Sequence, residues 1–205
     1  MYKKLIKQYD HWTFGYIYNR LKLAVRQIFY PNDPWLTKDA IFILNQLLKS
    51  SDIGLEFGSG RSTIWLASRI KKLISVEHNK FWFDEINKKI NDKKIKNIDY
   101  YLMLDKDYIS ILDKLENNSR DFILVDGLLR DLCTKKSILK IKSGGLLIID
   151  NINRYIPSNT CSPILRKKND FESEIWREIF LKDIKDWRKI WTSNGITDTI
   201  IIFKP

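Results

Sequence analysis

One stretch of the sequence, residues 54–66, constrains the fold more than any other. It reads Gly-Leu-Glu-Phe-Gly-Ser-Gly-Arg-Ser-Thr-Ile-Trp-Leu and predicts the end of a buried strand, a glycine turn and the start of a helix. Gly58 and Gly60 remove side chains where the backbone bends tightly and where a ligand would approach. Glu56, just before the turn, suits a ligand with hydroxyl or cationic groups better than a pyrophosphate. Doubly wound α/β domains build nucleotide pockets from this pattern, and the alternative is a turn whose glycines serve packing only.

The remaining chain alternates short apolar runs with helix-like segments, as expected of a sheet built from βα units. The run at 122–125 is apolar throughout, which indicates a strand buried on both faces of a parallel sheet. Thr37 and Asn79 are predicted to cap two of the helices, and Asn194-Gly195 between two β-prone runs predicts a hairpin. Strands are predicted at 53–57, 72–79, 98–104, 122–127 and 146–151, and helices at 38–49, 62–70, 80–90, 109–115, 131–142 and 170–185. We therefore predict an α/β fold: a Rossmann-like, doubly wound, mostly parallel sheet with a C-terminal antiparallel β-hairpin.

Acidic residues follow several predicted strands, at the edge where a parallel sheet binds its ligands. Glu77 lies about 20 positions after Glu56, which is the spacing of a ribose-binding acid in a nucleotide-binding βαβ unit. Its carboxylate can accept from both ribose hydroxyl groups, and the alternative is a surface glutamate at a strand end. Asp105 or Asp107 would reach the same crevice after the third strand, although either residue also fits a turn or a helix cap.

Asp126, Asp150 and Asn151 end the fourth and fifth predicted strands, so we expect them to converge. Three oxygen ligands of this kind suit a hard divalent cation such as Mg²⁺. In the alternative interpretation, Asp126 serves a bound ligand while Asp150 and Asn151 shape the next loop.

The composition is that of an ordinary globular protein, with 44% hydrophobic and 30% charged residues in a chain of 205. No apolar run approaches the roughly 20 residues of a membrane span, and the basic N-terminus lacks the apolar middle of a secretory signal. We therefore expect a cytoplasmic protein without a transmembrane segment. Cys133 and Cys161 are too few for a disulfide framework or a Cys-rich zinc site, which predicts free thiols.

A net charge of +11 fits either a solvated surface or a nucleic-acid or anionic-membrane partner. The lysines are spread over predicted helix faces, which favours the solvated surface. The charge alone therefore does not establish a nucleic-acid partner.

Residues 1–34 are predicted to form an aromatic and basic extension to a domain at 35–205. Ile17, Leu21, Val25 and Ile28 recur at three- and four-residue steps, so we expect a helix with one apolar face. Such a face packs on the domain or on a second subunit, or else serves as a substrate lid or a peripheral membrane contact. The sequence leaves open whether the protein is a monomer or a homodimer.

This order of parts resembles the class I S-adenosylmethionine-dependent methyltransferase family over roughly residues 35–205. The stretch 56–60 is similar to the family's first motif, an acid followed by x-G-x-G. The resemblance implies that Gly58, Ser59 and Gly60 wrap the methionine part of the cofactor. The stretch 75–78, Ser-Val-Glu-His, resembles the second motif, which implies that Glu77 binds the ribose. The terminal hairpin is also typical of this fold, and ordinary dehydrogenases lack it.

The same resemblance implies that S-adenosylmethionine is the cofactor and extends its site to further residues. Asp105 or Asp107 would approach the adenine, and the stretch 125–127, Val-Asp-Gly, resembles the fourth motif. Ser62 stands where a third glycine is common and can supply a hydroxyl group. The predicted cofactor-binding set is Glu56, Gly58, Ser59, Gly60, Ser62, Glu77, His78, Asp105, Asp107 and Asp126.

Asp126 with Asp150 and Asn151 is also similar to the metal-ligand pattern of catechol- and caffeoyl-CoA-type O-methyltransferases. In those relatives the metal binds adjacent oxygens of the acceptor and lowers the pKa of the reacting hydroxyl group. The catalytic lysine of that group has no counterpart here, because Gly-Leu-Leu follows Asp126. The stretch 125–130 more closely resembles small bacterial methyltransferase-like proteins whose strand ends read V-D-G-x-x-R.

The sequence therefore predicts a methyltransferase that acts on a hydroxyl group of a small-molecule or sugar acceptor. Asp126, His78 and Asp150, in that order, are the candidate bases, and the loop at 152–169 together with the N-terminal segment is expected to hold the acceptor. One alternative is an NAD(P)-dependent oxidoreductase, for which Gly58-x-Gly60-x-x-Thr63 is the nearest pattern. The other is a non-catalytic protein of the same fold that uses its basic surface on RNA or on an anionic membrane.

Overall fold

A computed structural model describes residues 13–163 and 165–205, except for the side chains at 105 and 106. Its seven-stranded sheet has the order β3-β2-β1-β4-β5-β7-β6. Strands β1 to β5 are parallel, and β7 runs antiparallel to both of its neighbours. The strands are β1 Ile53–Phe57, β2 Lys72–Glu77, β3 Ile98–Leu102, β4 Arg120–Val125, β5 Ile141–Asp150, β6 Arg188–Ser193 and β7 Asp198–Phe203. This arrangement confirms the predicted α/β fold with its closing antiparallel hairpin.

The α-helices are α1 Phe14–Phe29, α2 Lys38–Leu47, α3 Arg61–Ala67, α4 Lys80–Asp92, α5 Arg130–Lys140 and α6 Glu174–Glu178. Two predicted caps are confirmed. The Thr37 hydroxyl accepts from the Ala40 amide at 3.3 Å, and the Asn79 side chain accepts from the Trp82 amide at 3.0 Å. These bonds satisfy amides that a helix start leaves without intrahelical partners.

The sheet is covered on both faces, and β4 shows this most clearly. Ile123 and Val125 pack into one hydrophobic cluster, whereas Phe122 and Leu124 pack into the other. Successive side chains of a strand point to opposite faces, so an apolar run is fully used only between two layers. The prediction of a doubly buried strand is therefore confirmed.

Three predicted segments were wrong in kind or extent. The residues after β3 form a 3₁₀ helix at Asp105–Lys114, and a second 3₁₀ turn spans Ile152–Arg154. The helix predicted at 170–185 is only α6 followed by a π turn at Ile179–Asp183. The predicted turn at 143–145 lies inside β5, where the pairing with β4 shifts between Arg120 opposite Ile141 and Phe122 opposite Leu146. A bulge absorbs the extra residues of β5 and lets the strand begin earlier than its apolar run.

Helix α1 packs on the domain with the face opposite to its apolar face. Asn19 lies against Gly195 in the β6–β7 turn, where an added Cβ would come within 2.1 Å of the Asn19 amide nitrogen. Arg26 forms an ion pair with Asp33, and no residue of α1 is buried. The expectation that the apolar face packs on the domain was therefore wrong for the described residues. The aromatic and basic residues predicted at 1–12 lie outside the described residues.

None of the described helices combines the length and apolar character that a membrane span requires. Cys133 is buried and Cys161 is exposed, and both are free thiols as predicted.

Candidate functional site

A cleft of about 430 Å³ opens at the carboxyl ends of β1, β2 and β4. This is where the strand order reverses direction, since β1 leads outward to β2 on one side and pairs with β4 on the other. Open α/β sheets bind ligands at such a switch point. The cleft is lined by the stretches 35–36, 58–62, 77–79, 81–82 and 126–128 and by Arg130.

The glycine turn brings the ends of β1 and β4 into direct contact. Gly58 has φ of +86°, and a Cβ there would lie 2.7 Å from the Gly127 amide nitrogen. Gly127 is equally confined, because its Cβ would meet the Tyr108 hydroxyl oxygen at 1.8 Å. At Gly60, by contrast, an added Cβ would meet only the Trp82 ring at 3.9 Å. Gly58 therefore serves backbone packing, and Gly60 leaves space in the cleft.

Glu77 ends β2 with its carboxylate fully engaged. Oε2 accepts from the Ser59 amide at 2.9 Å and from the Ser59 hydroxyl at 2.8 Å. Oε1 accepts from the amides of His78 and Asn79, each at 2.9 Å. The Ser59 oxygen also lies 2.6 Å from the Tyr100 hydroxyl, so Ser59 has a second partner available. A ligand hydroxyl can reach Glu77 if the Ser59 hydroxyl turns to Tyr100.

His78 faces the same cleft beside Glu77. Its Nδ1 lies 3.1 Å from Glu77 Oε1 but accepts no hydrogen bond of good geometry. The ring stands edge-on to Tyr108, with centroids 5.7 Å apart. The imidazole is thus oriented by the aromatic contact and remains available to a ligand.

Glu56 lies beneath the glycine turn and is fully buried. Its Oε2 accepts from the hydroxyl groups of Thr63 and Ser75, each at 2.6 Å, while Oε1 has no partner among the described residues. Burial raises the pKa of Glu56 to about 7, and the neighbouring hydroxyl groups oppose part of that rise. A buried carboxyl with an unused oxygen favours a cationic or hydrogen-bond-donating ligand nearby.

Arg130 joins the ends of β4 and β5. Its guanidinium donates to the backbone carbonyls of Gly127 at 2.9 Å, Asp126 at 2.7 Å and Asp150 at 2.5 Å. It also pairs with the Asp126 carboxylate at 2.9 Å and donates to Asn151 Oδ1 at 3.1 Å. Burial raises the pKa of Asp126, and the Arg130 charge opposes that shift. The arginine therefore fixes the geometry of the cleft floor.

The predicted metal ligands Asp126, Asp150 and Asn151 do converge, but the structure gives the metal prediction no support. Asp150 is buried, and its oxygens accept from the Thr199 hydroxyl and the Asn151 amide, both at 2.6 Å. The remaining oxygens of Asp126 and Asn151 face the Arg130 cation. No group of three or more His, Cys, Asp or Glu side chains among the described residues is placed to hold a metal ion. These three residues therefore do not fit a divalent cation.

An aromatic wall with one cation forms the other side of the cleft. Trp35 and Trp82 stack at 6.2 Å between ring centroids, and the Arg61 guanidinium lies 5.4 Å from the Trp35 ring. Trp82 Nε1 donates to the Ser59 carbonyl at 2.5 Å. Arg61 Nη1 is buried without a hydrogen-bond partner among the described residues. The wall thus offers a flat apolar surface and an unused donor.

The long loop after β5 is fastened to the hairpin instead of covering the cleft. The hydroxyl groups of Thr160 and Ser162 donate to the buried Asp198 carboxylate at 2.6 and 2.5 Å. Trp191 Nε1 donates to the same carboxylate at 3.0 Å. No described residue of 152–169 lines the cleft. The expectation that this loop covers the site was therefore wrong for the described part of the chain.

Most of the predicted cofactor residues meet at the cleft. Glu56 lies below it, and Asp107 is exposed on the 3₁₀ helix and does not line it. The side chain of Asp105 lies outside the described part of the structure. The predicted residues that line the cleft are Gly58, Ser59, Gly60, Ser62, Glu77, His78 and Asp126.

Sequence reasoning gave no role to Trp35, Arg61, Trp82 or Arg130. For Arg130 a signal existed, because the V-D-G-x-x-R pattern places it four residues after Asp126 at the start of a helix. The other three depend on contacts between segments, which no local pattern announces.

No protein-family model and no curated protein matches this sequence. Solved structures do match. A protein described as a candidate caffeoyl-CoA O-methyltransferase from Staphylococcus aureus superposes with a TM-score of 0.61 at 16% identity, over 98% of each chain. The chain has the class I methyltransferase fold.

Two further structures agree. An rRNA methylase from Streptococcus thermophilus gives a TM-score of 0.58 at 13% identity over 80% of this chain and 92% of its own. An O-methyltransferase from Streptomyces achromogenes, solved with S-adenosylmethionine, gives 0.57 at 14% identity over 80% of this chain and 77% of its own. These neighbours modify different acceptors, so the fold alone does not identify one.

Proposed function

We propose that the chain is an S-adenosylmethionine-dependent methyltransferase whose cofactor lies in the cleft at the Gly58–Gly60 turn. The class I methyltransferase fold and the position of the cleft at the switch point both support this proposal. In it, residues 35–205 form the catalytic domain and residues 1–34 an extension.

The observation that carries the proposal is the charge of the site. The carboxyl groups of Glu56, Glu77 and Asp126 lie in or under the cleft, and Arg61 offers one unused donor. S-adenosylmethionine has a cationic sulfonium, an ammonium and a single carboxylate, which this set complements. The pyrophosphate of a dinucleotide would instead face the carboxylates. This opposes the NAD(P)-dependent alternative, as does Thr63, whose hydroxyl group binds Glu56 at the third glycine position of that motif.

When bound, S-adenosylmethionine supplies a methyl group activated by a positively charged sulfur. The chain would contribute mainly binding and alignment. Glu77 would accept from the ribose hydroxyl groups, with the Ser59 hydroxyl released to Tyr100. Arg61 would bind the carboxylate of the methionine part, and the Trp82 wall would limit the space beside it.

Asp126 and His78 are the residues that we propose for accepting the acceptor's proton, since both line the cleft. Asp150 is less suited, because it is buried away from the cleft and both of its oxygens already accept hydrogen bonds. We assign it a positioning role, holding Asn151 and β7 together. The proposed acceptor is a hydroxyl group of a small molecule or sugar, and no step requires a metal ion.

Binding of S-adenosylhomocysteine, measured by titration calorimetry, tests the proposal. Wild type is expected to bind it, and Glu77→Gln to bind it about tenfold to a hundredfold more weakly, because a charged acceptor for two hydroxyl groups is lost. Glu85→Gln, on the exposed face of α4, is the matched control and should bind as wild type does. NADH binding in place of S-adenosylhomocysteine, or equal affinities of the two variants, would contradict the proposal.

A further inference from the structure

Helix α1 carries an apolar face that no described residue covers. The exposed fractions are 62% for Leu21, 52% for Val25 and 75% for Ile28. With 3.6 residues per turn, the members of this face fall within an arc of roughly 120°. The α1 stripe, as we name this face, consists of Phe14, Ile17, Tyr18, Leu21, Val25, Ile28 and Phe29.

The opposite side of α1 holds the stripe in a fixed outward direction. Asn19 contacts the turn at Gly195, and Arg26 pairs with Asp33. Leu23 borders a narrow groove shared with residues 33–36 and 194–197. These contacts lie about half a turn around the helix from Leu21 and Val25. The stripe therefore points away from the domain.

The charges around the stripe are of one sign. Arg20 and Lys22 are exposed on its two flanks, and α1 contains no acidic residue. In the preceding sequence, three lysines stand against the single acid Asp10. Long basic side chains beside an apolar face can lay their stems on apolar material while their charges reach anionic groups.

We propose that the α1 stripe docks on the surface of an anionic lipid bilayer. An apolar stripe with aromatic residues, flanked by basic residues, is the pattern of helices that lie in the membrane interface. Two copies of this chain paired through the stripe would bring Arg20 and Lys22 of each copy together, with no acid on the helix to compensate. An anionic headgroup layer supplies that missing charge, so the bilayer fits better than a second copy.

The stripe lies at the same end of the sheet as the cleft. Trp35 and Leu36 border both the cleft and the groove under α1. Docking would therefore bring the cleft end of the domain toward the bilayer. The inference does not rest on the proposed function, because a protein without cofactor binding would keep the same stripe.

Vesicle flotation of the full chain tests the inference. The protein is expected to float with phosphatidylcholine vesicles that contain phosphatidylglycerol and to bind pure phosphatidylcholine at least about tenfold more weakly, since each basic residue near an anionic surface contributes about fivefold. Raising the salt concentration should weaken the binding.

Two double variants separate the apolar and the charged contributions. Leu21→Ser with Val25→Ser should weaken vesicle binding about tenfold or more by removing inserted apolar surface. Arg20→Gln with Lys22→Gln should remove most of the preference for anionic vesicles. The control, Phe42→Ser with Leu139→Ser, changes equally exposed apolar residues elsewhere and should bind as wild type does. All of these positions are exposed, so the melting temperatures should stay close together.

Three results would overturn the inference. One is that wild type fails to float with anionic vesicles. Another is equal loss in the stripe and control variants. The third is a concentration-dependent dimer, seen by sedimentation, that the stripe variant abolishes while vesicle binding is absent; the stripe would then cover a second copy. Vesicle binding without S-adenosylhomocysteine binding would refute only the proposed function.

Discussion

Replacing Glu56 with glutamine should change how the stability of the protein depends on pH. The wild-type carboxyl is buried on β1, and one of its oxygens has no partner among the described residues. Burial raises its pKa from 4.5 to about 7. The folded state therefore holds this proton more tightly than the unfolded state does. The resulting stabilisation is complete below about pH 4.5 and is lost as the pH rises to about 7.

The size of the effect follows from the shift. Each pKa unit corresponds to about 1.4 kcal/mol, so the raised pKa of Glu56 is equivalent to about 3 kcal/mol. Relative to Glu56→Gln, the free energy of unfolding of wild type should fall by up to this amount between about pH 5 and pH 7. Glutamine has nearly the same shape and can accept from the Thr63 and Ser75 hydroxyl groups through its oxygen, so the variant keeps these bonds.

Urea unfolding followed by tryptophan fluorescence, repeated across this pH range, gives the difference between the two proteins directly. Glu85→Gln changes an exposed glutamate on α4 and should run parallel to wild type. If Glu56→Gln also ran parallel to wild type, Glu56 would be ionised in the folded protein at neutral pH. The argument from its unsatisfied oxygen would then fail.

Two further substitutions test the floor of the cleft. Arg130→Met should lower the free energy of unfolding by about 3 to 5 kcal/mol, because it leaves the Asp126 carboxylate and several strand-end carbonyls without their donor. Gly58→Ala should cost about 2 kcal/mol or more and should weaken S-adenosylhomocysteine binding, since it combines a positive φ with a contact at 2.7 Å to the Gly127 backbone. Denaturant titration measures both losses, and calorimetry measures the binding.

Matched controls exist for both. Arg188→Met removes an exposed arginine of β6 and should stay within about 0.5 kcal/mol of wild type. Gly15→Ala places its Cβ 3.8 Å from the Thr13 hydroxyl oxygen, an ordinary contact, and should not destabilise the protein. A loss below about 1 kcal/mol for Arg130→Met, or equal stability of the two alanine variants, would contradict the roles assigned to Arg130 and Gly58.

The sheet was predictable because each strand carries its own signal. The run at 122–125 can be buried on both faces only inside a two-layered sheet, and Asn194-Gly195 sets the closing hairpin locally. The caps at Thr37 and Asn79 also depend on residues within one helical turn. Local chemistry of this kind can be read from a single sequence.

The contacts of the site were not predictable in the same way. Glu77 is engaged by Ser59, which in turn meets Tyr100 from another strand. Arg130 connects Asp126 with carbonyls about 20 residues further along the chain. The sequence showed that acids would gather at this edge, but the partners that neutralise them depend on distances between segments. For that reason the metal prediction overlooked the arginine that lies between its ligands.

The contact between Asn19 and Gly195 ties two parts of the chain with different histories of use. The β6–β7 hairpin distinguishes this fold from dehydrogenase-type sheets, and its turn is also the seat of α1. A side chain at position 195 would push the helix off that seat without touching the cleft. One residue at the tip of the hairpin thus sets the angle at which the outer helix meets its surroundings.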